Sequence, residues 1–180
     1  MQRNGEPYIF GEDSRLLYDA ISRLDRGNLF LEIGVGGGGN LGIAQTLFKN
    51  CVGTDIRLPT GLNMHLKNSV DLVIGDRGEC FREGVFDAVA FNPPYVPSES
   101  IEDLATDGGP RGIEVPLRFL ESALRILNCG GVILMVLSSE SSLDVLRDYC
   151  LKNNLKLREA GSKDLFFERL FVYEVTRAKE

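Results

Sequence analysis

The chain has 180 residues, of which 43% are hydrophobic and 26% charged, as is ordinary for a single globular domain, here taken as 1–180. The net charge of −6 and the pI of about 4.9 argue against a protein that binds nucleic acid unaided, because such proteins usually carry a basic patch that neutralises phosphates. No apolar stretch approaches the roughly 20 residues of a membrane span and the first residues form no apolar signal segment, so we expect a cytoplasmic protein without membrane association.

Helix-like and strand-like segments alternate in the first half of the chain. Apolar residues recur at helical spacing after Glu12, where Asp13 or Ser14 could cap a helix that Gly27 would end. Continuous apolar runs further on are typical of buried parallel strands. The predicted elements are a helix over Glu12 to Leu24, a strand over Leu29 to Gly34, a helix over Asn40 to Lys49, and strands over Cys51 to Ile56 and Val70 to Gly75, with a short helix between the last two.

The alternation continues in the second half, after a long loop from Val96 to Glu114. The predicted elements are a strand over Phe86 to Phe91, a helix with Pro116 in its first turn, a strand over Gly131 to Leu137, a helix from Ser141 or Ser142 to about Lys152, and strands over Leu155 to Glu159 and Phe166 to Val175. The last two strands leave no room for a helix between them and should pair antiparallel. The seven strands predict an α/β fold with a doubly wound, mostly parallel sheet and an antiparallel C-terminal hairpin.

A glycine-rich turn follows the first predicted strand, with the pattern Glu32-x-Gly34-x-Gly36-x-Gly38. Glycine permits positive φ and lets a ligand approach the backbone. Because Gly34, Gly36 and Gly39 also satisfy the GxGxxG pattern of dinucleotide sites, the turn alone leaves the cofactor open.

Asp55, with its neighbour Ile56, closes the next strand, where a carboxylate can accept the hydroxyls of a ribose. Two acidic residues favour S-adenosylmethionine over a dinucleotide: Glu32 could hold the ammonium group of this cofactor, and Asp76 follows the third strand, where it could meet an adenine amino group. Alternatively, Glu32 and Asp76 are solvated strand ends.

The segment Asn92-Pro93-Pro94-Tyr95 follows the predicted strand over Phe86 to Phe91. The carbonyl oxygen of Asn92 and a backbone carbonyl of the stiff Pro-Pro turn can accept both hydrogens of a substrate amine or amide. Such a grip leaves the lone pair of the substrate nitrogen in a defined direction. The alternative interpretation is an Asn-Pro turn without a chemical role.

Few residues could bind a metal. Cys51, Cys80, Cys129 and Cys150 form no CxxC pair, and His65 is the one histidine. Zinc-ligand spacing is absent, so we predict reduced thiols, no metal site and a surface position for His65.

Four motifs together resemble the HemK-like branch of class I methyltransferases, the protein N5-glutamine methyltransferases. Residues 8–14, Tyr-Ile-Phe-Gly-Glu-Asp-Ser, are similar to the Tyr-x-Pro-x-Glu-Asp-(Ser/Thr) opening of that family; residues 31–38 and 92–96 resemble its cofactor and amide-holding motifs; and residues 108–112, Gly-Gly-Pro-Arg-Gly, resemble its Gly-Gly-x-Asp-Gly loop. Two residues depart from the pattern: Phe10 stands where proline is usual, and Arg111 replaces an aspartate in the loop that bears on substrate selection.

The resemblance implies a Rossmann-like class I domain that transfers a methyl group from S-adenosylmethionine to a protein glutamine, in the Gly-Gly-Gln loop of a class I translation release factor. The catalytic residues it implies are Asn92, Pro93, Pro94 and Tyr95, and the cofactor-binding residues are Asp13, Glu32, Gly34, Gly36, Gly38, Asp55, Ile56, Asp76 and Asn92. No metal is implied in this chain.

The length is similar to that of the short archaeal and eukaryotic members, which work with a small zinc-binding activator subunit. Such a subunit would pair with the edge of the third strand, Val70 to Ile74, by strand addition. The same apolar residues could instead be ordinary core.

Three other functions stay open from the sequence. The same acceptors suit the exocyclic amine of a nucleobase in tRNA, rRNA or DNA, although the acidic chain would then need a partner for nucleic-acid contacts. An NAD-dependent oxidoreductase would use the GxGxxG pattern but leaves Asn92 to Tyr95 unexplained. A non-catalytic scaffold of the same fold is the third.

Overall fold

A computed structural model describes residues 11–57, 70–100 and 102–178. The opening-motif residues Tyr8 to Phe10, the residue His65 and the short helix predicted between the second and third strands lie outside the described residues.

Helices and strands alternate along the described part of the chain. The helices are α1 (Glu12–Ile21), α2 (Gly39–Ala44), α3 (Glu114–Ile126) and α4 (Leu143–Lys152). The strands are β1 (Gly27–Ile33), β2 (Phe48–Asp55), β3 (Val70–Ile74), β4 (Phe86–Phe91), β5 (Val96–Pro97), β6 (Asp107–Gly109), β7 (Leu127–Ser138), β8 (Leu155–Asp164) and β9 (Arg169–Arg177).

Seven strands form one sheet in the order β3-β2-β1-β4-β7-β9-β8. Neighbours from β3 to β7 pair parallel, whereas β9 pairs antiparallel with both β7 and β8. The predicted mostly parallel seven-stranded sheet with an antiparallel C-terminal hairpin is confirmed. The short strands β5 and β6 form a separate pair within the predicted long loop, and the sequence analysis did not predict them.

Each central strand buries both of its faces. In β1, Phe30 packs with Leu17 of α1 and Leu41 of α2, whereas its neighbour Leu31 packs in the cluster that holds Leu120 of α3. All of these side chains are fully buried. Because helices cover both faces of the sheet, its strands are continuously apolar rather than alternating.

Several predicted boundaries were wrong, and contacts distant in sequence explain the clearest case. The helix predicted over Asn40 to Lys49 ends at Ala44, because Phe48 begins β2 and packs on Phe30 with ring centroids 5.2 Å apart. The first helix ends at Ile21 rather than Leu24, and Gly27 begins a strand rather than ending that helix.

The helix caps also differ from the predicted ones. The N-cap of α1 is Gly11, not Asp13 or Ser14, and Ser142 precedes α4 without a capping hydrogen bond from its side chain. The last strand starts at Arg169 rather than Phe166, because Leu165 donates its backbone N–H to the Glu168 carbonyl and closes a turn.

The parallel strands end together at one edge of the sheet, called the carboxyl edge below. Ile33 at the end of β1 lies beside Thr54 of β2 and Phe91 of β4, and Asp55 lies beside Ile74 of β3. The strand order reverses between β1 and β4, and such switch points are the usual place for a ligand in open α/β sheets. Of the helices within the described ranges, none has the length and apolar character needed to cross a membrane.

Candidate active site

A cleft of about 710 Å³ opens at the carboxyl edge, a size suited to a small organic cofactor. The residues of the predicted site that line it are Asp13, Glu32, Gly34, Gly36, Asp55, Ile56, Asp76, Asn92 and Pro94. Three predicted site residues, Gly38, Pro93 and Tyr95, do not line the cleft. Four different strand ends and the first turn of α1 therefore meet in one place.

The glycine turn forms one wall of the cleft. Gly34 and Gly36 have φ angles of 80° and 51°, which favour glycine, and Gly38 with φ 76° is the N-cap of α2. The backbone N–H of Val35 donates to Asp55 Oδ2 at 3.1 Å. This bond ties the turn to the end of β2, so the two predicted cofactor-binding elements hold each other in position.

Two acidic residues that line the cleft, Asp55 and Asp76, are partly exposed to solvent. Asp55 Oδ1 accepts a hydrogen bond from the Arg57 backbone N–H at 3.2 Å, and carboxylate lone pairs remain for further donors. Asp76 forms an ion pair with Arg77 at 3.0 Å, and its side chain is 55% exposed. Both carboxylates are placed where a polar ligand could reach them.

Glu32 is a buried carboxylate, with only 2% of its surface exposed. Burial raises the pKa of Glu32 to about 8, and the nearby charge of Asp55 acts in the same direction, while hydrogen bonds from Asn40 and the Leu41 backbone oppose the shift. The Asn40 amide donates to Glu32 Oε1 at 2.8 Å. A cation in the cleft would favour the ionised form of this residue.

The polar side chains that line the cleft are only partly paired with one another. In the part of the chain that the structure describes, four buried side-chain atoms lack a hydrogen-bond partner: Glu32 Oε2, Asn40 Oδ1, Arg77 Nε and Asn92 Oδ1. All four residues line this cleft. Since buried polar groups are nearly always paired in folded proteins, their concentration at one place indicates a site built for a polar ligand.

The Asn92 side chain is held by Asp13. Its Nδ2 donates to Asp13 Oδ2 at 2.7 Å, while Asp13 Oδ1 accepts the Ser14 backbone N–H at 2.6 Å. Both carboxylate oxygens of Asp13 are therefore engaged, and the amide of Asn92 turns its NH₂ group toward Asp13. Within residues 11–57, 70–100 and 102–178, no donor reaches the Asn92 carbonyl oxygen, which is left as an acceptor. The sequence analysis assigned Asp13 to the cofactor and did not predict this bond.

The chain after Asn92 is clamped by the Gly-Gly loop. A Cβ at Gly108 would lie 2.7 Å from the Tyr95 backbone, and one at Gly112 would lie 2.4 Å from the Tyr95 carbonyl oxygen. Ser141 Oγ also donates to that oxygen at 3.2 Å. The two motifs that the family combines are thus in direct backbone contact, which requires glycine at both positions.

Tyr95 is half-buried and cannot act as a base near neutral pH. Burial raises the pKa of its phenol, and the charges of Asp13 and Glu168 raise it further. The hydroxyl therefore stays protonated. Arg111, the residue that departs from the family loop, pairs with Glu114 at 2.8 Å and does not line the cleft.

Several cleft residues were missed by the sequence analysis. Asn40 follows the glycine turn directly, a signal that could have placed it there. Phe119 of α3 also lines the cleft, and the Arg77 guanidinium lies over its ring, 5.9 Å from the ring centre. Residues 102–105 also line the cleft and belong to no motif.

Comparisons with known proteins identify the family. No family model matches the chain. The chain is 33% identical over 147 residues to a protein of Methanocaldococcus jannaschii provisionally named protein N5-glutamine methyltransferase MJ0928. The matched region covers 74% of this chain and 73% of that protein. It is 31% identical over 91 residues to the release factor glutamine methyltransferase of Caulobacter vibrioides, which covers 44% of this chain and 32% of the relative.

Solved structures agree on the fold. A chain of the E. cuniculi Mtq2–Trm112 complex, described as responsible for methylation of the termination factor eRF1, is similar with a TM-score of 0.77 at 22% identity, over 96% of this chain and 99% of that one. Other structures of the same fold contain SAH, the demethylated form of the cofactor. These findings favour the methyltransferase interpretation of the glycine turn over a dinucleotide site. The chain belongs to the protein N5-glutamine methyltransferases, enzymes of the class I fold that use S-adenosylmethionine.

Proposed function

We propose that the enzyme methylates the side-chain amide nitrogen of a glutamine, in the Gly-Gly-Gln loop of a class I translation release factor. The observation that carries the proposal is the buried Asn92 carbonyl oxygen, which has no partner among the described residues while its NH₂ group is bound by Asp13. An acceptor fixed in this way suits a substrate that brings N–H donors. A relative named for release factors and a structural neighbour linked to eRF1 support the choice of protein.

The residues of the cleft fit S-adenosylmethionine. All four predicted residues line the cleft, where Glu32 would hold a cationic amino acid end, Asp55 would accept ribose hydroxyls, and Asp76 with Ile56 would meet the adenine. Glu32 Oε2, which has no hydrogen-bond partner in the described part of the chain, supports this fit, because the ionised form of a buried carboxylate is stabilised by a cation. When bound, the cofactor supplies an activated methyl group on a sulfonium sulfur.

The acceptor side of the site orients the substrate amide. Asn92 Oδ1 and a backbone carbonyl of the Pro93-Pro94 turn would accept the two hydrogens of the glutamine NH₂ group. Both acceptors favour electron density on the nitrogen and aim its lone pair toward the cleft. Since a carboxamide nitrogen is a poor nucleophile, this positioning and polarisation are the main contribution of the enzyme.

Substitution of Asn92 tests the proposal. In Asn92→Ala the affinity for S-adenosylmethionine should stay within about threefold, while kcat should fall by roughly 100-fold or more, as when an oxyanion-hole donor is removed. The assay is mass spectrometry of the release factor, which gains one methyl group on the glutamine. Asn128→Ala is the matched control, because Asn128 bonds Asp87 at the opposite edge of the sheet. Normal turnover in Asn92→Ala would remove this residue from the mechanism.

We also propose that a small zinc-binding activator subunit pairs with β3. This strand lies at one end of the sheet order, and Leu72 and Ile74 are 40% and 64% exposed. These two side chains are therefore not ordinary core. Exposed apolar residues on a strand edge that has no partner strand among the described residues suit strand addition by a partner, as the Mtq2–Trm112 neighbour suggests.

Charged substitutions on β3 test whether the activator subunit binds at this strand. Leu72→Asp with Ile74→Asp should abolish co-purification with an archaeal or eukaryotic activator of the Trm112 type. The affinity for S-adenosylmethionine in a folded preparation should be retained. Leu151→Asp is the control, because Leu151 is 78% exposed on α4. Undiminished complex formation by the double variant would place the activator elsewhere.

A further inference from the structure

The most exposed apolar side chains in the described ranges form a pair at the β8–β9 turn. Phe166 and Phe167 are 92% and 88% exposed, with ring centroids 4.6 Å apart. Single exposed apolar residues are common, but two adjacent phenylalanines on a turn contribute nothing to the core and expose a large apolar area. The pair is called the phenylalanine tip below.

The topology brings the phenylalanine tip to the edge that holds the active site. Because β9 is antiparallel to both β7 and β8, strand β8 runs in the same direction as β7 and ends at the carboxyl edge. The register confirms this, since Leu170 lies beside both Ser138 at the end of β7 and Lys163 near the end of β8. The tip therefore lies on the same edge of the sheet as the cleft and not on the opposite edge.

Side-chain contacts fasten the turn to the acceptor side of the site. Glu168, the residue after the tip, accepts a hydrogen bond from Ser138 and lies near enough to Tyr95 to raise the pKa of its phenol. On the other side of the turn, Lys163 forms an ion pair with Glu12, the residue before Asp13. The tip thus projects from a segment bonded to β7 and to α1, the helix that carries Asp13.

We propose that the phenylalanine tip is a docking surface for the polypeptide that carries the acceptor glutamine. This inference rests on the proposed function, in which the substrate is a folded protein. A single glutamine side chain occupies only the space beside its hydrogen-bond acceptors, Asn92 and the Pro93-Pro94 turn. The rest of the substrate protein must therefore contact the enzyme surface around Asn92. Aromatic side chains are the most effective anchors of protein interfaces, and this pair is free to bury its rings against an apolar patch of the substrate.

The experiment compares two double variants with intact class I release factor as substrate. Phe166→Ser with Phe167→Ser removes the aromatic anchors and should raise KM about 10- to 100-fold, as loss of a hot spot does. The kcat value and the affinity for S-adenosylmethionine should stay within about twofold, because the variant leaves Asp13, Asn92 and Glu32 untouched. Phe166→Leu with Phe167→Leu retains apolar surface and should recover most of the affinity for the substrate.

Control measurements distinguish a failure of the docking role from a failure of the proposed function. Leu151→Ser should leave KM unchanged, because Leu151 is 78% exposed and lies in the last turn of α4, away from the carboxyl edge. An unchanged KM in the serine double variant would overturn the docking role, as would a loss confined to kcat or to cofactor affinity. A double variant that turns a dimer into a monomer without raising KM would assign the tip to a second copy instead. If wild-type enzyme transfers no methyl group to the release factor, the proposed function fails and the docking role with it.

Discussion

Replacing Asp13 with asparagine changes one atom of the group that orients Asn92. In the wild type, one oxygen of Asp13 accepts the Ser14 N–H at 2.6 Å and the other accepts the Asn92 NH₂ group at 2.7 Å. An asparagine offers one acceptor and one donor to the same two neighbours. If its oxygen stays on Ser14, its NH₂ group faces Asn92, which then gains by turning its own oxygen inward and its NH₂ group toward the substrate.

The expected loss of kcat in Asp13→Asn can be estimated from the hydrogen-bond donors that this variant leaves without an acceptor. To restore the productive orientation of Asn92, the variant must leave two N–H donors facing each other or leave the Ser14 N–H without an acceptor. An unsatisfied buried donor costs about 1–3 kcal/mol, which corresponds to a roughly 5- to 150-fold lower kcat. Asp13→Ala removes the acceptor without supplying a competing donor, so its loss of kcat should be smaller than that of the isosteric variant.

The assay measures kcat on the release factor and, separately, the affinity for S-adenosylmethionine by titration. We expect the highest kcat for the wild type, a lower kcat for Asp13→Ala and the lowest for Asp13→Asn, while the affinity for S-adenosylmethionine stays nearly constant. Wild-type turnover in Asp13→Asn would refute the orienting role. A weakened cofactor affinity with unchanged kcat would instead support the cofactor-binding role that the opening motif implied for Asp13.

Three further substitutions probe the rest of the site. Glu32→Gln should weaken cofactor binding, and it should raise the Tm of the ligand-free protein more at pH 8 than at pH 5. The reason is that the wild type loses stability as pH rises from 4.5, the ordinary pKa of Glu32, to about 8, its pKa in the fold; an equal Tm difference at both pH values would contradict this. Asp55→Ala should raise the Kd for S-adenosylmethionine about 10- to 100-fold, by loss of charge-assisted hydrogen bonds, and an unchanged Kd in titration would refute the ribose assignment. Gly112→Ala should lower kcat more than tenfold with cofactor affinity retained, because its Cβ would meet the Tyr95 carbonyl oxygen at 2.4 Å. Gly84→Ala is the matched control, because Gly84 has nearly the same φ (67° against 66°) but its Cβ would meet nothing within 4 Å, so this variant should keep its activity.

Local sequence pattern was enough for the strands that lie inside the sheet. The strand over Phe86 to Phe91 was predicted with its observed bounds, because it is a continuous apolar run ended by the Pro-Pro turn. The end of α2 was not predictable in this way. Phe48 leaves the helical pattern because its ring packs on Phe30, a contact between distant parts of the chain. The small β5–β6 pair has the same origin, since Val96 lies beside Asp107 only once the Gly-Gly loop has folded onto Tyr95.

The cleft was predictable where its residues follow strand ends. Glu32, Asp55, Asp76 and Asn92 meet because parallel strands share one edge, so their positions along the chain were sufficient to group them. The pairing of Asp13 with Asn92 joins residues 79 positions apart on a helix and a loop. No periodicity records such a contact, and only the fold shows that one motif orients the other.

A crystal structure with SAH and a bound substrate that presents the glutamine tests the central claim most directly. The account predicts that Asn92 Oδ1 lies at a hydrogen-bond distance of about 2.7–3.2 Å from the glutamine nitrogen, with Asn92 Nδ2 still bonded to Asp13. It also predicts that the lone pair of the glutamine nitrogen points toward the sulfur of SAH. A glutamine nitrogen held by other groups, or SAH bound away from the glycine turn, would contradict it.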